Sequence, residues 1–425
     1  MKKAVITILG LAGVVIKNNE IAGFKNKTIY DYENVKKEYL NDLPFLIDLY
    51  GDEYRIIPIY TSLSKKAQIE VLKKENKEEW IEKIFSHSYG KEIEDENKNN
   101  SYDLIFNKIN KILKRFSSED KVIIDITHGF RHLPILVIIN TIMHYIKEPE
   151  KIEKILFAKE IVREKEYKII DIKDYLELAN LSFILVNFKE NYTIAKHIKV
   201  NNPKYQNVIN CMNEFSSDLL ALSLENLLNR SAKNLIFSIE NLEDNLLLND
   251  WESLKAHIEK VFSKQKHRYL TYYLIAKDLY KKGYLVHVVS LLFEGIGFYA
   301  KSRFETYDKK LKKYIHFLEN EIKYSKNFKN AKIKDYYELT SSCRSYLLFN
   351  RNYNRDKLFH KWKDIIYSNL PVIEEFNRFV WELNILRNNL LHANSGKSIA
   401  AINMRVKYLL EDFEKYCINF DVLKK

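Results

Sequence analysis

Residues Val122–Arg131, with the sequence VIIDITHGFR, decide the fold of the first part of the chain. Val122–Ile126 is almost entirely apolar, which is typical of a strand that is buried on both faces of a parallel sheet. The strand pattern stops at the turn Thr127-His128-Gly129, and Leu133–Ile146 continues with a helical pattern. A buried strand, a turn and a helix in this order predict one unit of an α/β fold.

The same alternation covers the first 175 residues and then gives way to helices alone. Further strand-like and helical runs are Ala4–Leu9, Tyr54–Tyr60, Ser64–Lys74, Ser101–Phe116, Ile152–Ala158 and Tyr167–Ile172. From Lys173 onward the periodicity is helical. The sequence therefore predicts an α/β domain with a Rossmann-like parallel sheet over residues 1–175 and an all-α domain over residues 176–425.

The charge of the chain favours a polyanionic partner. Lys and Arg number 69 against 57 Asp and Glu, so the formal net charge is +12. Basic side chains displace counterions from phosphate backbones, which favours a nucleic acid. A lysine-rich surface that binds no partner is the alternative.

The cysteine and histidine patterns give no sign of a disulfide framework or a metal site. The 3 cysteines form no CxxC pair, and the histidines other than His128, His132 and His392 form no HxxxH or HExxH pattern. We therefore expect a cytoplasmic protein without a metal or another cofactor. The apolar run Ala4–Ile16 is shorter than the ~20 residues that cross a bilayer, so we expect no membrane partner.

Glycines and polar residues follow three of the predicted strands. They are Gly10-Leu11-Ala12-Gly13, Thr61-Ser62 and Asp125–Arg131. Ligands bind beyond the carboxyl ends of parallel strands, and N–H groups, hydroxyls and a guanidinium suit an anionic nucleotide. Alternatively, Asp125 or Thr127 only caps the next helix and Gly129 only forms a turn. Asp125 is the least expected to touch a ligand, because it lies inside the strand end.

A second group of polar residues ends a late helix. Glu374–Leu391 has an apolar face and is followed by His392, with Arg387 and Asn388 in its last turn. Arg387 and His392 are five residues apart, so they diverge by roughly 140° around a regular helix. They can face one cleft if the helix ends between them, if the cleft is broad, or if two copies pair in a symmetric dimer.

These residue types suit the cleavage of RNA. The ribose 2′-hydroxyl is the nucleophile, so an enzyme needs only to transfer protons and to stabilise charge on the phosphate. A histidine transfers protons near neutral pH, and an arginine stabilises the charge. Asn388 can orient either group. The alternative is a surface arginine beside a histidine that interacts with the helix dipole.

Together, these two groups resemble the CRISPR-associated Csm/Csx-type ribonucleases of type III defence systems, in which an N-terminal CARF domain precedes a helical HEPN domain. Asp125–Gly129 looks like the DxTHG signature of one branch of that family. Arg387–His392 looks like the HEPN R-x4–6-H motif. The turn Gly10–Gly13 departs from related loops because it lacks a hydroxyl residue.

The resemblance implies a homodimer, possible higher oligomers, and activation by cyclic oligoadenylate. We expect cyclic tetra-adenylate as the activator, with the hexa-adenylate as the alternative, and no DNA partner. The implied product of cutting single-stranded RNA is a 2′,3′-cyclic phosphate end. The implied ligand-binding residues are Gly10, Leu11, Ala12, Thr61, Ser62, Thr127, His128, Gly129 and Arg131, and the implied catalytic residues are Arg387, Asn388 and His392.

Two other functions stay open at this point. One is a non-catalytic ligand sensor or regulator, for which a helix-turn-helix would be expected; no convincing one follows Lys173. The other is a HEPN ribonuclease toxin whose activity does not depend on a small ligand.

Overall fold

A computed structural model describes residues 2–85, 91–92, 102–127, 132–195, 198–200, 202–242, 247–324, 333–348, 358–371, 373–392 and 396–424. The chain forms two compact units. The first comprises Met1–Val186 and Ala195–Gln206, and the second comprises Asn187–Ile194 and Asn207–Lys425. The boundary predicted after residue 175 falls inside the helix Lys173–Asn191, whose residues are shared between the two units.

The first unit contains an eight-stranded sheet and a two-stranded sheet. Its strands are β1 (Lys3–Ile8), β2 (Val14–Lys17), β3 (Glu20–Phe24), β4 (Thr28–Tyr32), β5 (Val35–Tyr39), β6 (Arg55–Tyr60), β7 (Lys91–Glu92), β8 (Lys121–Asp125), β9 (Ile152–Val162) and β10 (Glu166–Asp171). The large sheet has the order β5-β4-β10-β9-β8-β1-β6-β7. From β9 to β7 all neighbours are parallel, so the carboxyl ends of β1, β6 and β8 lie at one edge.

Helices cover both faces of the large sheet. The first unit contains α1 (Asp42–Tyr50), α2 (Ser62–Lys74), α3 (Glu79–Phe85), α4 (Tyr102–Leu113) and α5 (His132–Lys147), and α6 (Lys173–Asn191) continues into the second unit. Residues of α1, α2 and α3 join the apolar cluster on one face, and residues of α4 and α5 join the cluster on the other. This arrangement confirms the predicted α/β class.

The central strand β1 shows why the sequence pattern was informative. Ala4, Ile6 and Ile8 belong to one apolar cluster, and Val5 and Leu9 belong to the cluster on the opposite face. Successive side chains of a strand point to opposite faces, so a strand covered on both sides is apolar along its whole length.

Residues 14–39 form two hairpins that the sequence analysis did not predict. Asn18-Asn19 joins β2 to β3, and Glu33-Asn34 joins β4 to β5, with positive φ at all four positions. Positive φ at both residues of a two-residue loop defines the type I′ turn, whose twist matches that of the strands. The hairpin β4–β5 and the antiparallel pair β9–β10 extend the parallel centre of the sheet.

The second unit is helical throughout its described residues. Its helices are α7 (Pro203–Leu220), α8 (Leu224–Asn226), α9 (Ala232–Glu240), α10 (Leu248–Val261), α11 (Arg268–Lys281), α12 (Leu285–Tyr307), α13 (Lys309–Tyr324), α14 (Tyr336–Ser345), α15 (Lys363–Asn369), α16 (Glu374–Leu391) and α17 (Ile399–Phe413). The central helix is α12, which packs against α11, α13, α14, α16 and α17. The prediction of an all-α region after Lys173 is confirmed for the described part of the chain.

Among the described residues, α12 alone is long and apolar enough to cross a membrane by length and composition. Most of this helix is buried inside the second unit, with Leu292, Ile296 and Tyr299 fully enclosed. A helix that is apolar on all sides is either a membrane span or the core helix of a large domain. The packing of α12 against six other helices, the five named above and α15, accounts for its composition.

Candidate ligand site and candidate nuclease site

The loop after β1 is held in place from inside the first unit. The side chain of Gln68 donates to the carbonyl of Gly10 (2.9 Å), and the side chain of Asn41 donates to the carbonyl of Ala12 (3.0 Å). Asn41 and Gln68 are both buried and hydrogen-bonded to each other (2.8 Å). Within the described part of the chain, the N–H groups of Leu11 and Ala12 donate no hydrogen bond. The loop therefore turns the carbonyls of Gly10 and Ala12 inward and leaves the N–H groups of Leu11 and Ala12 without a partner among the described residues.

Gly13 ends this loop in a conformation that excludes other residues. Its φ is +84°, and a Cβ atom placed on it would lie 2.9 Å from the carbonyl oxygen of Leu40. Its own carbonyl accepts a hydrogen bond from the N–H of Lys25 (3.0 Å). Both the positive φ and the close approach to Leu40 require glycine here.

Thr61 and Ser62 lie at the carboxyl end of β6, but their hydroxyls differ in surroundings. Thr61 is the N-cap of α2, and it forms a capping box with Ser64. Its side chain is buried and accepts from the N–H of Ser64 (3.2 Å), so helix capping accounts for this residue. Ser62 is exposed at the first position of the helix.

Asp125 and Thr127 tie three neighbouring strands together. The hydroxyls of Thr7 and Thr127 both donate to the carboxylate of Asp125 (2.6 Å each), which is 1% exposed. The Thr127 hydroxyl also accepts from the N–H of Ala158 in β9 (3.1 Å). As expected for a residue inside the strand end, Asp125 faces the protein interior. The Thr127 hydroxyl already has two partners, and His128, Gly129 and Arg131 lie outside the described residues.

A cleft of about 500 Å³ opens beside the loop after β1. Of the predicted ligand-binding residues that the structure describes, only Ala12 lines it. The other lining residues come from the loop itself, the two hairpins and the β9–β10 turn: Gly13, Phe24, Lys25, Asn26, Thr28, Tyr30, Leu40, Glu164 and Tyr167. The sequence pattern gave no sign of this cleft, because the hairpins that line it were not predicted.

Arg387 is half-buried on α16, with its guanidinium against another helix. Its Cζ lies 5.0 Å from the centre of the Phe293 ring on α12, and its Nη1 donates to the side-chain oxygen of Asn388 (3.1 Å). The Nε atom of Arg387 is buried and has no hydrogen-bond partner among the described residues. The structure therefore brings together two of the three predicted catalytic residues.

His392 lies one residue beyond the end of α16 and is exposed. Its N–H donates to the carbonyl of Asn388 (3.0 Å), which closes the last turn of the helix. No hydrogen bond joins its side chain to Arg387 in the described part of the chain. The helix thus ends at Leu391, between these two residues.

The sequence analysis also missed a cluster of ionisable residues on α12 and α13. The ligand atoms of Glu305, His316 and Glu319 all lie within 4.8 Å of one another, an arrangement that could hold a metal ion. The ammonium group of Lys301 lies 2.7 Å from both carboxylates. Lys301 therefore already supplies a positive charge to the cluster.

Residues 5–160 match the family model of the CARF domain of the CRISPR system endoribonuclease Csx1. These residues are therefore similar to the CARF domains of CRISPR-associated proteins. The CARF match includes every predicted ligand-binding residue, from Gly10 to Arg131, and ends before the second unit begins.

The chain is also similar to the solved structure of Enterococcus italicus Csm6 bound to cyclic hexa-2'-fluoro-hexa-dAMP. The sequence identity is 14%, the match covers 100% of this chain and 97% of that chain, and the TM-score is 0.34. No curated protein matches this chain.

Proposed function

We propose that this protein is a ribonuclease of type III CRISPR defence that cuts single-stranded RNA when its CARF domain binds cyclic oligoadenylate. The observation that carries the proposal is the match of residues 5–160 to the CARF domain of an endoribonuclease of CRISPR systems. In this account the protein acts in the cytoplasm, and the second unit is a HEPN domain that cuts RNA without a metal ion.

The edge of the sheet is suited to a ligand that carries several phosphates. The loop Gly10–Gly13 offers N–H groups, and Ser62 offers an exposed hydroxyl at the amino end of α2. N–H groups and the positive end of a helix dipole favour phosphate binding. Cyclic tetra-adenylate is the proposed activator, and the hexa-adenylate is the other ring size to be tested.

The proposed cleavage uses the nucleophile of the RNA itself. The 2′-oxygen gives its proton to His392 and attacks the adjacent phosphorus, and the bond from phosphorus to the 5′-oxygen breaks. The products are a 2′,3′-cyclic phosphate end and a 5′-hydroxyl end, whose proton comes from a second copy of His392 in the dimer. Arg387 stabilises the charge that develops on the phosphate oxygens, and Asn388 holds Arg387 through the hydrogen bond of 3.1 Å.

An apolar stripe on α5 supports the proposed homodimer. Ile135, Ile139 and Met143 are 58%, 43% and 48% exposed and follow one another at four-residue spacing, so they lie on one face of the helix. Contiguous exposed apolar surface commonly marks an interaction site, and most homo-oligomers pair through symmetric surfaces. A dimer formed through this face would give two copies of each catalytic residue.

The test is the cleavage of a fluorescent single-stranded RNA in EDTA, with a cyclic oligoadenylate present, followed by analysis of the product ends. We expect 2′,3′-cyclic phosphate ends and a loss of about 10²–10⁴-fold in rate for His392→Ala, since that is the usual contribution of a general base. His360→Ala is the control, because His360 is also an exposed histidine of the second unit. A His392→Ala protein that cuts as fast as the wild type would contradict the proposal.

A further inference from the structure

Two arginines of the second unit share one aromatic ring. The Cζ atom of Arg344, on α14, lies 3.6 Å from the centre of the Phe293 ring, and the Cζ atom of Arg387 lies 5.0 Å from the same centre. Both guanidinium groups therefore interact with the π electrons of one side chain. The position of the Phe293 ring links the buried Arg344 to the candidate catalytic Arg387.

Arg344 is held more tightly than Arg387. It is 2% exposed, its Nη1 donates to the carbonyl of Phe293 (2.9 Å), and it lies 3.6 Å from the carboxylate of Glu294. The same carboxylate accepts from the hydroxyl of Thr340 (3.0 Å). Burial lowers the pKa of Arg344, Glu294 opposes this shift, and the nearby charge of Arg387 lowers the pKa further. The two guanidinium charges therefore act on each other.

The charges of this cluster are not balanced. Glu294 is the only carboxylate that forms an ion pair with either arginine among the described residues. Arg387 forms no such pair there, and its buried Nε has no hydrogen-bond partner. Two positive charges against one negative charge leave an excess that an anion would neutralise. A phosphodiester bound to the Arg387 guanidinium supplies such a charge.

We propose that Arg344 is a positioning residue of the nuclease site, which acts on the scissile phosphate through Phe293 and Arg387. Its contact with Phe293 fixes the ring on which the Arg387 guanidinium rests. This inference rests on the proposed ribonuclease function, because it assigns Arg344 a role in that reaction.

The chain contains a matched control for this cluster. Arg303, also on α12, is partly buried, lies 5.5 Å from the centre of the Tyr299 ring, and has its Nε 2.8 Å from the carboxylate of Asp421. Asp421 also accepts from the hydroxyl of Tyr299 (2.9 Å), as Glu294 does from Thr340. Both clusters thus combine an arginine, a ring and a carboxylate, but only one of them includes Arg387.

The test compares the double variants Arg344→Met/Glu294→Gln and Arg303→Met/Asp421→Asn in the full-length, ligand-activated protein. Each removes both partners of one ion pair, so neither leaves an unpaired buried charge. For the Arg344 pair we expect kcat to fall by about tenfold, as for loss of the ring itself, with little change in KM. For the Arg303 pair we expect the wild-type kcat and KM.

If the Arg344 double variant does not fold, a single variant tests whether the Phe293 ring positions Arg387. Phe293→Leu keeps both charges and removes only the ring, and we expect about a tenfold loss of kcat from the lost cation–π contacts. A wild-type kcat in Phe293→Leu and in any folded Arg344 double variant would overturn the inference while leaving the ribonuclease function intact. Absence of cleavage by the wild-type protein in the same assay would overturn both proposals.

Discussion

The two candidate sites differ in how completely the fold satisfies their polar groups. At the edge of the sheet, the hydroxyls of Thr61 and Thr127 are hydrogen-bonded within the protein. At the end of α16, the Nε atom of Arg387 is buried without a hydrogen-bond partner among the described residues. An unsatisfied buried donor costs about 1–3 kcal/mol. The sheet edge thus satisfies these hydroxyls within the protein, whereas α16 leaves one donor of Arg387 without a partner among the described residues.

The largest effect is expected for Arg387→Ala. Loss of the guanidinium should lower kcat for RNA cleavage by about 10²–10³-fold, because a group that stabilises developing charge is removed. The unfolding temperature should not fall, since the substitution also removes an unsatisfied buried donor. Cleavage kinetics and thermal unfolding check both statements.

The control for Arg387→Ala is Arg378→Ala, which removes an exposed arginine from the same helix. It should keep the wild-type kcat. If Arg387→Ala lowers the unfolding temperature along with the activity, Arg387 is a structural residue and the contrast between the two sites fails.

For Asp125→Asn at the sheet edge we expect a loss of stability, whereas Arg387→Ala should lower activity without lowering stability. The carboxylate accepts from the hydroxyls of Thr7 and Thr127 and from the N–H of Thr127. Because hydrogen bonds to a charged group contribute about 1.5–3 kcal/mol, the free energy of unfolding should fall by about that amount. Chemical denaturation measures this change, with the exposed Asp52→Asn as the control. Equal stability of the two variants would show that the Asp125 network is not structural.

A comparison of two glycines tests whether the close approach to Leu40 requires glycine at position 13 of the sheet-edge loop. Gly13 and Gly283 have similar positive φ values, but a Cβ atom at Gly283 would meet nothing within 4 Å. Each substitution by alanine should cost about 1–2 kcal/mol for the left-handed conformation. Gly13→Ala should cost about 1–3 kcal/mol more, because its Cβ would press on the backbone of Leu40. If Gly13→Ala and Gly283→Ala lose the same free energy of unfolding in denaturation experiments, the close approach of Gly13 to Leu40 does not require glycine.

The smallest effects should separate Thr61 from Ser62. Thr61→Ala removes a helix cap and should lower the free energy of unfolding by about 1 kcal/mol. Ser62→Ala should leave stability unchanged and weaken activator binding about three- to tenfold, the loss of one hydrogen bond. Calorimetric titration with cyclic tetra-adenylate and thermal unfolding of both variants give the answer. If Ser62→Ala binds the activator as the wild type does, Ser62 is not a ligand residue.

The core of the first unit could be predicted because burial on both faces leaves a simple apolar pattern in β1 and β8. The hairpins of residues 14–39 could not, for two physical reasons. The turns Asn18-Asn19 and Glu33-Asn34 lack the glycine that usually marks a type I′ turn. The strand β5 is also largely exposed and polar, so it has no apolar alternation.

The candidate sites were only partly predictable for a related reason. The sequence located Thr127 at a strand end, but it did not show that its hydroxyl bonds to Asp125 and Ala158. Likewise it identified Arg387 by its spacing from His392, and it gave no sign of Arg344. Contacts between residues far apart in the chain follow from helix packing, which a local pattern does not record.

The measurement that most directly tests the account is the rate of single-stranded RNA cleavage in EDTA, against the concentration of cyclic tetra-adenylate and, separately, hexa-adenylate. Switching a mostly inactive protein to a mostly active one requires the ligand to favour the active state by about 5.5 kcal/mol. We predict a rate that is near zero without ligand and rises to saturation with one ring size. The same rate with and without ligand, or no cleavage with either ring, would contradict the account.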